Sequence, residues 1–214
     1  DSRLFYQEVT IGTARPDAAE RAAVRHHFID SHSIQEEYSA GNFERDALQI
    51  LAQLFGLHEV VVMVGGSGLF VRAVCEGLDD LPKAPEGIRD SLNSKFNEEG
   101  LEPLKARLKE IDPAYYAIAD VDNPQRVIRA LEVYEASGHT MSYYQKRNVE
   151  KRSFDIVTVG LNMDREQLYE RINLRVDKML EAGLIEEVKA MEAYRHKPAL
   201  LTVGYAEIFD YFDG

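Results

Sequence analysis

The chain is short of several things, and each shortage excludes a class of protein. It holds one cysteine, Cys75, in 214 residues, so no internal disulfide can form and a disulfide-framed secreted scaffold is excluded. Cys75 follows an apolar run at 69–74, where a buried, inert thiol is expected, and a reducing cytoplasm fits. No run of about 18 apolar residues exists, so no membrane-spanning helix is expected. Positive charge is scarce: 25 Lys and Arg against 37 Asp and Glu leave a net charge of −12, which argues against a broad electrostatic grip on nucleic acid. Internal repeat, low-complexity tract and Gly-x-x-x-x-Gly-Lys-Ser/Thr phosphate loop are not found in these residues, and no signal peptide is visible, an absence that excludes nothing in a chain whose start looks cut. An initiator Met is missing too: the chain opens on Asp1, and a start of that kind is expected to have lost its true beginning.

What remains has an ordinary globular balance, 45% hydrophobic and 29% charged, and a length that suits one large domain or one domain carrying an insertion. Basic residues gather locally: Lys105, Arg107 and Lys109; Arg126 and Arg129; and Lys146, Arg147, Lys151 and Arg152. The first group reads as solvated surface, while the last is placed to reach phosphates.

Ser33 and Glu36 have capping-box spacing ahead of a helix expected over 42–55, with Phe43, Ala47, Ile50, Leu51 and Leu54 as its apolar stripe and Gly56 as its stop. The β-branched run at 59–64 ends at Gly65 and Gly66 and predicts a buried strand, followed by a helix over 69–77. Strand, glycine turn and helix make an α/β unit of a parallel sheet. From 83 to 150 the pattern is all helix. Pro85 is set in the first turn of a helix with Ile88, Leu92 and Phe96, a second helical period runs over 101–111, and Asn123 and Pro124 launch a third that ends at Gly138. The sheet then resumes with a strand over 154–161. Asp164 caps a long helix with Leu168, Ile172, Val176, Met179 and Leu180 inward, and a last helix follows Gly204 and Tyr205.

Several residues invite chemistry. Gly65, Gly66 and Ser67 either let an anion approach the backbone at a helix N-terminus or form a plain strand-to-helix turn. Gln125, Arg126 and Arg129 share one polar helix face, which suits phosphate and base-edge contacts or a solvated stripe equally in kind. Arg171 and Arg175, one turn apart, can clamp a diphosphate or pair with acids of their own helix such as Glu170. His26 and His27 are adjacent, a spacing that does not make a metal site.

Eight ordered blocks nearly span the chain: DSRLFYQEVTIGTARP, HHFID, YSAGNF, VVVMVGGSGLFVRAV, the GL-x-x-LP segment at 77–82, DNPQRVIRALEVYEASG, VGLNMDREQLYERINLRVDKML and TVGYAEIFDY. In these the sequence resembles the tRNA dimethylallyltransferase (tRNA isopentenyltransferase) family. The resemblance implies an α/β fold, a nucleotide-binding P-loop NTPase-like parallel sheet core at 1–82 and 151–214, and a helical, tRNA-contacting insertion at 83–150. It implies transfer of a dimethylallyl group from dimethylallyl diphosphate to N6 of adenosine 37 beside the tRNA anticodon, releasing diphosphate, with Mg2+ assisting. By the same likeness Asp1 is the catalytic base and Arg175 assists the leaving group, with Arg171, Gly65 and Gly66 near the diphosphate. Ser2, Arg3, Leu4, Ser67, Arg89, Gln125, Arg126 and Arg129 contact the anticodon stem-loop. Ser67 stands where the family usually has Thr. A cytoplasmic monomer is implied, and no metal-ligand set is assigned.

Two departures stand out. The family's phosphate loop would precede Asp1, and its basic C-terminal stretch would follow the TVGY motif. A molecule truly lacking that loop is expected to be inactive. The alternatives are a P-loop small-molecule kinase and a tRNA-binding module without catalysis.

Overall fold

The computed structural model describes residues 1–145 and 150–214. Lys146 and Arg147 of the last basic group lie outside the described residues. The helices, in chain order, are α1 (Ala18–Ala23), α2 (Ala40–Phe55), α3 (Gly68–Glu76), α4 (Ile88–Glu99), α5 (Glu102–Ile111), α6 (Pro113–Tyr116), α7 (Pro124–Ser137), α8 (Met141–Tyr144), α9 (Arg165–Glu181), α10 (Leu184–Ala190) and α11 (Ala206–Asp213). They divide into two compact units, Asp1–Cys75 with Arg152–Gly214, and Glu76–Lys151.

The second unit packs α4 to α8 around one core. Leu92 of α4, Leu104 and Leu108 of α5, Tyr115 of α6, Val127, Ile128 and Leu131 of α7 and Met141 of α8 are all buried together. Fully burying each leucine contributes roughly 1.5–3 kcal/mol. Local signals agree with this packing. Asn123 accepts from the Gln125 N–H (3.0 Å) to start α7, and Gly138, at φ +72°, ends it in the left-handed conformation that glycine tolerates best. Buried Asp112 is satisfied on both oxygens, by the N–H groups of Tyr115 (3.0 Å) and Ser142 (2.9 Å), and so ties α6 to α8.

The first unit has two smaller cores. Phe5, Phe43, Ala47 and Val74 form one, with the Phe5 ring stacked 5.3 Å from Phe43 and edge-on to Tyr38 at 5.2 Å. Val9, Ile34, Leu184, Val188, Leu200, Tyr205 and Phe209 form the other. Arg152 is not aimed at outside phosphates: its guanidinium donates to the carbonyls of Val74 and Ala73 and pairs with Glu44 at 2.6 Å.

Several expectations are not met among the described residues. The parallel sheet is not seen, for no strand ladder forms among the described residues, where the one isolated bridge is parallel, between Tyr6 and His32. The runs at 59–64 and 154–161 are mostly bare, with Val64 87% and Leu161 97% exposed, though Val61 is half-buried and Phe154 stacks on Phe55 at 5.3 Å. β-branched composition favours a pleated surface, but a strand exists only where a neighbour takes its N–H and C=O groups. The α9 stripe of Leu168, Ile172, Val176 and Leu180 is likewise exposed; Met179 alone of the expected five packs, against the α10–α11 core. The Ser33–Glu36 contact forms (3.2 Å) yet closes only a turn, and the helix starts later, capped by Ser39. Pro85 precedes Gly87, the N-cap of α4, rather than sitting in its first turn. Cys75 is half-buried, not fully buried.

Candidate functional site

A 3-10 turn over Ser2–Phe5 presents the first group of site residues. Phe5, inserted among Phe43, Tyr38 and Phe70, fixes the turn to the core. Asp1 caps the turn by accepting the Arg3 N–H (3.1 Å), and the Arg3 guanidinium closes back on the same carboxylate, Nε to Oδ1 at 3.0 Å and Nη2 to Oδ2 at 2.5 Å. The remaining terminal nitrogen, Nη1, donates to Thr202 Oγ1 at 2.8 Å and reaches the Val203 carbonyl at 3.5 Å. Ser2 donates its N–H to Ser67 Oγ (3.0 Å), and Ser67 returns a bond to Ser2 Oγ (3.2 Å). The backbone of Leu4 joins the neighbouring segment by accepting the Asp30 N–H (3.0 Å). Thus Asp1, Ser2, Arg3, Leu4 and Ser67 are brought together.

Arg175 of α9 lies within electrostatic reach. The charge of Arg175, like that of Arg3, is felt at Asp1. Arg171 and Arg175 are both exposed, and neither pairs with Glu170 among the described residues. Gly65 and Gly66 are exposed, with nothing within 4 Å of a Cβ added to either. Ser67 begins α3, its carbonyl accepting the N–H of Phe70 (2.9 Å) and Val71 (3.1 Å).

Behind the Thr202–Tyr205 segment stands a carboxylate that the sequence did not single out. Glu187 of α10 accepts the N–H groups of Thr10 (2.8 Å), Ile11 (2.8 Å) and Gly12 (3.0 Å), and the Tyr205 hydroxyl at 2.6 Å. Burial, then the bond to Glu187, pushes the Tyr205 phenol well above its usual pKa. Gly12 is required here by close approach: a Cβ would meet the Tyr205 ring at 2.4–2.6 Å.

The second unit gathers its own polar group. Glu132 of α7, only 5% exposed, pairs with Arg129 (3.0 Å) one turn away and with Arg89 of α4 (3.2 Å). Arg89 also donates to Gln125 Oε1 at 2.9 Å. Arg89 and Arg129 therefore converge on one buried acid, with Gln125 joined to it through Arg89, while Arg126 stays exposed beside them on α7. Glu132 was missed, although a carboxylate three residues after an arginine on an apolar helix face is a readable signal. Glu187 left none, because its partners are far away in sequence. Lys105 and Arg107 are ion-paired to Glu102, Asp122 and Glu135, as a solvated surface requires.

No group of three or more His, Cys, Asp or Glu able to hold a metal exists among the described residues, and the Asp1 carboxylate is already engaged by Arg3. The protein groups present do not form a magnesium cage.

The family model for IPP transferase matches residues 4–214. The chain belongs to the IPP transferase family. Relatives in that family align over all of the chain: the tRNA dimethylallyltransferase of Christiangramia forsetii is 49% identical with 71% of its own length covered, and that of Cytophaga hutchinsonii is 48% identical with 70% covered. Among solved structures, the tRNA isopentenylpyrophosphate transferase of Bacillus halodurans is 35% identical with a TM-score of 0.63, over 100% of this chain and 67% of that one. A eukaryotic dimethylallyltransferase acting on tRNA superposes with a TM-score of 0.76 at 23% identity, over 99% of this chain and 55% of that one, which speaks for the fold alone.

Proposed function

We propose that this IPP transferase modifies tRNA, moving a dimethylallyl group from dimethylallyl diphosphate to N6 of adenosine 37. The observation that carries the reading is the alignment of all 214 residues with relatives named tRNA dimethylallyltransferase at up to 49% identity. In the reaction the N6 lone pair forms a bond to C1 of the allyl group. The C1–O bond breaks, its electron pair leaves with the diphosphate, and the N6 proton passes to a base. Asp1 is that base in our reading, since an exocyclic amine is a weak nucleophile and gains from a positioned proton acceptor. Its carboxylate is fixed by Arg3 and stays partly open to solvent, with 28% of its side chain exposed. Arg175, with Arg171 one turn away, would meet charge developing on the leaving diphosphate. The target adenine must leave its stack to reach such a group.

Arg89, Gln125, Arg126 and Arg129 would bind the anticodon stem-loop; what supports this is two arginines held at one buried acid, with Gln125 bonded to Arg89 and Arg126 exposed alongside. Ser2, Leu4 and Ser67 would line the RNA-facing edge near Asp1, beside Gly65 and Gly66. Magnesium accompanying the diphosphate would be held by the phosphates and water. The division into a P-loop-type core at 1–82 and 151–214 and an insertion at 83–150 is supported by the two compact units. The sheet reading rests on the order of β-branched run, glycine turn and helix at 59–76. Action on tRNA and the lone cysteine favour a cytoplasmic monomer. No described helix is long and apolar enough to cross a membrane.

The test incubates the natural polypeptide with dimethylallyl diphosphate and an unmodified anticodon stem-loop, then analyses nucleosides by mass spectrometry. A dimethylallyl adduct on adenosine is expected. Unmodified adenosine together with ATP-dependent phosphorylation of a small hydroxyl acceptor would replace this reading with a kinase.

A further inference from the structure

The Arg3 guanidinium is spoken for on every nitrogen. Nε and Nη2 form a two-point grip on the Asp1 carboxylate, and Nη1 is held by Thr202 Oγ1 at 2.8 Å and the Val203 carbonyl at 3.5 Å. The backbone N–H of Arg3 adds a third bond to Asp1 Oδ1 at 3.1 Å. A two-point contact fixes the plane of a carboxylate as well as its place, which a single charge does not do. The Thr202 contact spans 199 residues of sequence, so the order comes from the fold and not from the turn alone. An arginine meant for RNA phosphate would keep its fork directed at solvent; this one spends it inside the protein.

We propose that Arg3 is the positioning residue for Asp1, and that Thr202 holds Arg3 in place, so that base, arginine and hydroxyl act as one unit. The proposal rests on the reading of Asp1 as the base. In this unit Asp1 offers the lone pairs that Arg3 does not occupy to the N6 amine, and its plane is set before substrate arrives. A base oriented by a third group is the arrangement by which proton acceptors are commonly held ready. Arg3 from its own turn and Arg175 from α9 are charged groups close to Asp1. Removing Arg3 takes away both points of the grip, so the carboxylate loses its fixed plane.

The experiment uses the natural polypeptide carrying Arg3→Met, Arg3→Lys, Thr202→Val, Asp1→Asn and the double change Asp1→Asn with Arg3→Met. Readouts are kcat, KM and the Kd for the stem-loop, with melting curves to confirm folding. Arg3→Met is expected to lower kcat at least about tenfold, the cost of a base out of alignment. Its Kd should stay within about twofold of the parent. Arg3→Lys, which keeps the charge but not the fork, should not return kcat, and Thr202→Val should lower kcat less than Arg3→Met. In the Asp1→Asn background Arg3→Met should cost nothing further, because residues acting as a unit are not additive. Weaker stem-loop binding in both backgrounds with an unchanged kcat would make Arg3 an RNA contact and overturn the proposal. An inactive Asp1→Asn beside an unimpaired Arg3→Met would sink the proposal alone. An Asp1→Asn enzyme with parental turnover would remove the base assignment itself, and this proposal with it.

Discussion

Asp1 and Glu132 each hold arginine, and their surroundings set them apart. Asp1 grips Arg3 at a half-open turn, with 28% of its side chain exposed, whereas Glu132 lies among buried apolar residues with 7% exposed. An open carboxylate can trade one partner for another at small cost, since water and substrate both reach it. A buried one cannot, because losing its partners leaves charge without compensation. The first arrangement suits proton transfer; the second suits holding two cations still for a polyanion.

The largest test of that contrast is Asp1→Asn, expected to lower kcat by about 10²–10⁴-fold while leaving stem-loop affinity intact, as removal of a general base does. Single-turnover kinetics with saturating RNA will read it, and a loss confined to KM would erase the distinction between the two acids. Next comes Leu131→Ala, beside Glu132 and fully buried, expected to destabilise the helical unit by about 2–5 kcal/mol in denaturant melts. A negligible change would mean that the setting of Glu132 is less rigid than its burial indicates. Arg129→Ala and Arg89→Ala should each weaken stem-loop binding and flatten the dependence of log K on log salt by about one. Unchanged salt slopes would leave Glu132 holding arginines that meet no phosphate. The smallest effect is expected for Val159→Thr, at a side chain that is 78% exposed: within about 0.5 kcal/mol of the parent.

The same contrast explains what the sequence could and could not tell. Helices of the second unit were readable because each signal was local: Asn123 and Pro124 start α7, Gly138 stops it, and Val127 and Leu131 mark its inner face. Their apolar stripes also found one another within the unit. In the first unit the pattern at 60–64, 157–161 and along α9 was equally clear, yet those side chains are exposed. Periodicity names the face that wants a partner; it does not name the partner. Within the candidate site, Arg89, Gln125 and Arg129 could be picked out one by one, but the meeting of the two arginines at Glu132, and of Arg89 with Gln125, needed the packing of α4 against α7. The links from Arg3 to Thr202 and from Glu187 to residues 10–12 cross nearly the whole chain, beyond the reach of any spacing rule.

The bare hydrogen of Gly12 carries an unexpected burden. Tyr205 rests its ring against that position and its hydroxyl on Glu187, and three residues before it stands Thr202, whose hydroxyl steadies Arg3. An alanine at 12 would force the Tyr205 ring to shift. A shift passed back along the chain to Thr202 would loosen the tether on Arg3 and, through it, the plane of the Asp1 carboxylate. A single methyl on the far side of Tyr205 is thereby a way to reach the reaction centre without touching any of its residues.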